Sequence, residues 1–423
     1  MQWTIAKLAM DGCKACNGRL QRFQWAIVKL AMDDCKDSNG RLQSLQWTVV
    51  RLAMDDSPVC SCGRRVSALS VFMYTKNTDY LLKYLVMWYT NCVVKEASDL
   101  LYNNIDIKEN RLVQFDRTLL EILLKDRTTG KNIIWATDNY AHYGEKYAKT
   151  SPILIELITS HKGQLIKPRT EKSKAEQQKR VRQKAEVFTP SWVCNAQNNL
   201  IDEAWFGRRS PFNRESGHSW ETITDRIVFP LSDEKSWQSY VCEPRMEISC
   251  GEAPYLTSRY DTVTGEYIPV KDRIGLLDRK LRVITENTET EEDWIAWALK
   301  ACQSVYGFEY QGDNVLIARE NVLFTVVEHY KDHFAKELPI EQLRELAKII
   351  SWNIWQMDGL KCVVPESCST KTKIEETLFE SITVAEECIG CKKGTRLNHN
   401  GIYCKIMNWK KHKSERFVDS LGE

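Results

Sequence analysis

A chain of 423 residues with 43% hydrophobic and 10% aromatic residues can bury two or three cores. Its formal net charge of only +2 means that any attraction to nucleic acid must come from a local patch, not from the whole surface. No apolar run is long enough to cross a bilayer and no secretory leader opens the chain, so a cytoplasmic protein with no membrane partner is expected, its 15 cysteines reduced thiols with at most one metal site.

The chain opens on an internal repeat. Gln2-Trp3-Thr4-Ile5 recurs as Gln24-Trp25-Ala26-Ile27 and, in part, as Gln46-Trp47-Thr48-Val49, each copy followed by Leu-Ala-Met-Asp. A solenoid needs about three stacked units to bury a continuous core, and structural repeats diverge except at core positions. These near-copies are therefore read as a recent duplication or an extension upstream of the true start, with a small helical array as the alternative; residues 1–90 are left out of the core fold. The Cys60-Ser61-Cys62-Gly63 text reads as a turn. Residues 91–185 form a mixed region: Leu112, Phe115, Leu119, Leu120, Leu123 and Leu124 recur at helical spacing, and residues 132–137 read as a strand. The polar positions Asp116, Glu121, Lys125 and Asp126 of this region are explained by one solvated helix face, which leaves little ground for a nuclease site. The region closes on its most basic stretch, from which Lys172, Lys174, Lys179, Arg180 and Arg182 are the candidate DNA-phosphate contacts.

Residues 186–364 carry four ordered pieces. Phe188-Thr189-Pro190 precedes a helical stretch from Trp192. A short strand around Glu247 runs into Cys250-Gly251-Glu252-Ala253-Pro254, where glycine lets the backbone approach a ligand at a strand's carboxyl end. A second strand, 305–310, ends in the acidic Glu309, placed to accept from ribose hydroxyls, and is followed by a helix carrying Leu316, Ile317 and Leu323. A third, read over 350–360, closes on Asp358-Gly359-Leu360. The bland reading of each piece alone is an ordinary strand-to-loop turn; their order is what carries weight.

In that order they resemble the adenine-N6 DNA methyltransferases of bacterial restriction–modification systems, of the type I and combined kinds. The text over residues 100–419 is similar to the restriction endonuclease subunit M proteins, including Cys194 to Asp202. The resemblance implies an α/β, Rossmann-like S-adenosylmethionine-dependent sheet. Phe188, Thr189 and Pro190 take the place of the amino-terminal cofactor motif, and Glu247, Cys250, Gly251, Ala253 and Pro254 that of the turn around the cofactor. Glu309 stands for the ribose-binding acid, and Asp358, Gly359 and Leu360 for the adenine-binding segment. DNA would be the substrate, and a restriction subunit a further partner.

Two departures stand out. The link between Leu256 and Gly307 is long and implies an insertion, and the sequence contains no Pro-Pro pair. Such enzymes hold the flipped adenine with an Asn-Pro-Pro-Tyr type tetrapeptide. No catalytic residue is therefore assigned, and a second polypeptide carrying that motif is expected. The alternative is a non-catalytic DNA- or protein-binding component, or a degenerate remnant of such an enzyme. In residues 365–423 the Cys388-Ile389-Gly390-Cys391 pair, with Cys368, His399 and Cys404 nearby, suits a structural zinc knuckle; Cys368, Cys388, Cys391 and Cys404 are the expected ligands.

Overall fold

A computed structural model describes residues 47–52, 69–74, 105–159, 165–184, 186–232, 234–376 and 381–422. The first two repeat copies, the Cys60 turn and the stretch 80–89 lie outside the described residues. The chain divides into two units, Met1–Val94 and Lys95–Glu423. In the first, β1 (Trp47–Leu52) pairs antiparallel with β2 (Leu69–Tyr74), Trp47 opposite Tyr74. The third repeat copy is thus a strand where a helical array would require a helix.

The second unit is mixed α/β. Helix α1 (Glu109–Leu124) buries the apolar stripe read from the sequence, Leu112, Leu119, Leu120, Leu123 and Leu124. Next come the single turn α2 (Ile155–Ile158), the basic helix α3 (Lys174–Lys184) and α4 (Ser191–Phe206), which stops at Gly207 in a left-handed conformation. A hairpin of β3 (Asn213–Ser216) and β4 (Ser219–Thr222) and the short α5 (Trp237–Cys242) lead to the sheet.

That sheet has three parallel strands in the order β5 (Arg245–Ile248), β6 (Val305–Glu309), β7 (Ile354–Gln356). Parallel neighbours need crossover connections. Helices α6 (Leu276–Asn287) and α7 (Glu291–Gln303) make the first, filling the long link, and α8 (Gly312–Phe334) and α9 (Ile340–Asn353) make the second. Thr290 caps α7 by accepting from the Asp293 N–H, with Glu291 and Glu292 in the positive first turn. Among the described strands β5 pairs only with β6, and its Met246 and Ile248 side chains are exposed. Beyond β7 lie the hairpin β8 (Lys371–Glu376) and β9 (Ser381–Glu386), the short α10 (Ile389–Lys393), and the hairpin β10 (Lys405–Asn408) and β11 (Lys413–Arg416).

Helix α8 is buried continuously from Gly312 to Tyr330 and packs against α1, α6, α9, β6 and β7. Its Arg319 is fully buried and donates to the carbonyls of Leu123, Lys125, Ser351 and Ile354, tying α1 and the α9–β7 junction to one guanidinium. Burial lowers its pKa to about 9. On α4, Asn195, Asn199 and Asp202 lie on one helical face and all accept from Arg279. The Cys194 to Asp202 segment is therefore a packing device.

Two strand expectations are corrected. Residues 132–137 form only isolated bridges, Lys125 with Asn132 and Ile134 with Pro152, and meet the start of α8, where the Gly312 N–H donates to the Trp135 carbonyl. The third sheet strand is shorter than 350–360: α9 runs on to Asn353, and only Ile354–Gln356 is extended. Among the described residues no helix is long and apolar enough to cross a membrane.

Gly312 explains the tight start of α8. A Cβ there would fall 2.0 Å from the Ile134 carbonyl oxygen. Gly312→Ala should therefore lower the unfolding free energy by about 1–3 kcal/mol, as overpacking does; an unchanged denaturant midpoint would count against this packing.

Candidate functional site

The carboxyl ends of β5, β6 and β7 gather most of the residues singled out in the sequence. After β5 the chain turns through Ser249, Gly251 and Ala253, all with positive φ (51°, 54° and 64°). Ser249 and Ala253 carry a Cβ in that region, each at a cost of about 1–3 kcal/mol that surrounding bonds must offset. Those bonds are present. The Cys250 N–H donates to the Phe308 carbonyl (2.9 Å), the Gly251 N–H to Glu309 Oε2 (3.0 Å) and the Ala253 N–H to the Cys250 carbonyl (2.7 Å). The Leu256 N–H donates to Glu247 Oε2 at 3.1 Å.

Glu309 is thus both the acid at the end of β6 and the acceptor that shapes the β5 turn; its other oxygen accepts from the Gln311 N–H. Burial raises its pKa, against three backbone donors that lower it. Phe188 packs over Gly251: a Cβ on that glycine would lie 3.5 Å from the ring. Thr189 offers its carbonyl to the Thr262 hydroxyl, and Pro190 starts α4, where the Ser191 N–H donates to Asp261. The Phe-Thr-Pro triplet is thereby fixed beside the β5 turn, and Pro254 follows Gly251 by three positions in that turn.

At the third strand end the Met357 N–H donates to the Glu309 carbonyl. Asp358 then organises a turn, accepting from the Leu360 and Lys361 N–H groups and pairing with the Lys361 ammonium at 3.1 Å. Gly359 lies against Phe308, where a Cβ would come within 2.6 Å of the ring, and Leu360 is exposed.

Two acids at this site were not singled out in the sequence. Glu252 accepts from the Arg169 N–H (2.6 Å) and the Tyr260 hydroxyl (2.7 Å), and Glu186 accepts from Arg180 (2.9 Å) and Gln311 (2.8 Å). Their only sequence signal is adjacency, one inside the glycine turn and one just before Phe188.

The basic stretch divides by helix face. Lys172 and Arg180 are corrected as DNA contacts: both are buried against Asp313, Lys172 at 3.6 Å, with Tyr140 also bonded to that carboxylate. Burial would raise the Asp313 pKa, but Arg180 and Lys172 hold it well below the usual carboxylate range. Lys174, Lys179 and Arg182 are exposed. A cavity of about 340 Å³ is lined by Arg169, Lys174, Gln177, Gln178, Val181 and Arg182, and Arg169 also stacks 5.2 Å over Phe188. Another, of about 170 Å³, lies by Arg245 and Tyr306 at the amino ends of the strands, the end at which open α/β sheets do not bind ligands.

Cys368, Cys388, Cys391 and His399 form a group that could hold a metal ion, their donor atoms all lying within 4.8 Å of one another. The three sulfurs are 3.5, 3.4 and 3.6 Å from His399 Nδ1. His399 Nε2 faces the Thr395 carbonyl at 2.7 Å, which makes it the protonated nitrogen and leaves the Nδ1 lone pair toward the sulfurs. Gly390 is required here, since a Cβ would meet the His399 ring at 2.8 Å. Against the upward pull of burial, bonds from the Asn400 and Cys391 N–H groups and from His399 bring the Cys388 thiol down to about 6. Cys404 is corrected as a ligand. It is buried with Phe308, Trp355, Met357 and Phe417, its thiol turned to the Gln356 carbonyl at 3.4 Å, and His399 fills the fourth place.

Burial lifts the Glu247 carboxyl from 4.5 to about 8, although the Tyr255 and Leu256 N–H groups pull it down. A raised pKa contributes stability below the unfolded value that is lost as pH rises through the folded one. Unfolding free energy should therefore fall between pH 4.5 and about 8, and Glu247→Gln should flatten that fall by up to about 4 kcal/mol. Denaturant melts at the two ends of this range check it; an equally steep fall in the variant would refute the assignment.

Comparison of the chain with family models, with curated proteins and with solved structures finds no match.

Proposed function

We propose that residues 186–364 form the S-adenosylmethionine-binding part of a Rossmann-like adenine-N6 DNA methyltransferase, and that the chain is a modification subunit of a restriction–modification system. The observation that carries this reading is convergence. The Phe188 triplet, the strained turn at Gly251, Glu309 and the Asp358 turn come from four separate stretches, yet they meet at the carboxyl ends of three adjacent parallel strands. Ligands of open α/β sheets bind at that end. Buried acids beside a glycine turn suit the ribose hydroxyls and adenine amine of the cofactor. DNA would lie along the exposed face of α3, with Lys174, Lys179 and Arg182 toward phosphates. The soft three-sulfur, one-nitrogen donor set favours a structural zinc at the Cys368 group.

The lack of a Pro-Pro pair supports the rival reading, a non-catalytic component, unless a partner polypeptide supplies the tetrapeptide. Calorimetric titration of the full chain with S-adenosylmethionine separates them: saturable binding is expected, and none at millimolar cofactor would sink the proposal. Asp358→Ala and Glu309→Gln should each weaken binding by more than about 1 kcal/mol, the scale of a lost charge-assisted hydrogen bond. Unchanged affinity in both would mean that the pocket lies elsewhere.

Methyl transfer requires the target amine to be held by acceptors while its ring is clamped. The chain alone should therefore transfer no labelled methyl group to DNA, and addition of a partner carrying the Asn-Pro-Pro-Tyr segment should restore transfer. Robust transfer by the chain alone would overturn the split arrangement.

A further inference from the structure

Cys368, the first of the candidate ligands, follows Asp358 by ten positions, and a short ladder of backbone bonds joins the two. The Asp358 N–H donates to the Val363 carbonyl (2.9 Å) and the Cys362 N–H to the Asp358 carbonyl (2.7 Å). The Val364 N–H then donates to the Ile402 carbonyl (2.8 Å), and the Cys404 N–H to the Cys362 carbonyl (3.0 Å). Ile402 also donates to the Ser367 hydroxyl, next to Cys368, and the His399 N–H donates to the Tyr403 hydroxyl. Two residues in this loop, Cys362 and Glu366, hold positive φ (both 58°) despite carrying a Cβ, so the shape must be imposed from outside. On one side β7 imposes it. On the other, Cys368 belongs to the loop, while Cys388, Cys391 and His399 belong to the segment it pairs with, beyond the β8–β9 hairpin.

We infer that one zinc ion, bound by Cys368, Cys388, Cys391 and His399 Nδ1, clamps the loop 357–368 in the shape that presents Asp358 at the strand ends, so that ligand binding there depends on the metal. Tetrahedral zinc with Zn–S of about 2.3 Å and Zn–N of about 2.0 Å sets the sulfur-to-nitrogen distance at about 3.5 Å, and the observed separations of 3.5, 3.4 and 3.6 Å fit it. Three thiolates and one zinc carry a net charge of about −1. That charge favours Lys361, whose ammonium is paired with Asp358, and so reinforces the turn electrostatically. The dependence of cofactor affinity on metal rests on the reading of the strand ends given above; the clamp itself does not.

The full chain is purified with zinc, stripped with a chelator and reloaded. Metal content, amide hydrogen exchange over 357–368 and S-adenosylmethionine affinity are measured on each form. One equivalent of zinc is expected, with exchange in the loop rising and affinity falling at least about tenfold on stripping, both reversed by zinc. Cobalt in place of zinc should give the thiolate charge-transfer and intense visible bands of a tetrahedral site. Cys404→Ser should keep its metal, and Cys391→Ser should lose it. Absence of stoichiometric zinc, or its loss in Cys404→Ser but not in Cys391→Ser, overturns the site. Stoichiometric zinc whose removal leaves loop exchange unchanged overturns the clamp. Zinc-dependent exchange in a chain that binds no cofactor upholds the clamp and refutes the cofactor reading instead.

Discussion

The burial of α8 on all sides is the constraint on which the second unit depends. Leaving a polar group unbonded in a helix sealed from water is costly, and α8 pairs Asp313, Arg319, Asn321, Glu328 and His329, while Asn314, Glu320 and Thr325 each keep a buried oxygen without a partner. Arg319 meets this demand with backbone carbonyls alone, and its planar fork of five donors is what allows one side chain to bridge α1, α9 and β7. The carboxyl ends of β6 and β7 are aligned because the same helix is fixed to both flanks. Glu309 and Asp358 inherit their positions from that alignment.

The other buried charges of α8 recruit the surrounding chain. Glu328 accepts from Arg259 and Arg273, which hold its pKa near 2 against burial, and both arginines come from the long link between β5 and β6. His329 reaches Asp278 of α6 at 3.0 Å. At the other end Asp313 draws in Arg180 and Lys172, pulling the basic segment down toward Phe188 and the β5 turn. Buried ion pairs add little net stability, because desolvation offsets most of the attraction, but removing one partner is costly. Here their consequence is register: the inserted helices, the basic segment and the glycine turn are each locked to one helix at one place.

Much of this was legible as pattern. The α1 stripe, strand β5 around Glu247, strand β6 ending in Glu309, and the glycine turn follow from periodicity and from the few residues that tolerate close backbone approach. What could not be read were matters of partner. Residues 132–137 have strand composition and exchange backbone bonds with residues 149–153, but the pairing stops at isolated bridges and the segment runs against the start of α8 instead of joining the sheet. Trp352 and Asn353 belong to the run that reads as a strand closing on Asp358-Gly359, yet helix α9 carries them until β7 begins. Lys172 and Arg180 are indistinguishable in sequence from Lys174 and Arg182; a buried aspartate more than a hundred positions away decides which face turns inward. Cys404 has ligand spacing as good as that of His399, and only the apolar cluster around it removes it from the set.

The edge of β5 that no described strand covers has a consequence for how the protein behaves in solution. Edge strands with unpaired backbone groups and apolar faces are templates for unwanted pairing, and natural proteins shield them with charge, proline, bulges or a cover. β5 is short and begins with Arg245, but Met246 and Ile248 stand bare along it. Free molecules would collide edge to edge as their concentration rises, whereas molecules whose edge is occupied would not. A strand added there would lengthen the sheet through backbone bonds alone, whatever its side chains, along the four residues of β5.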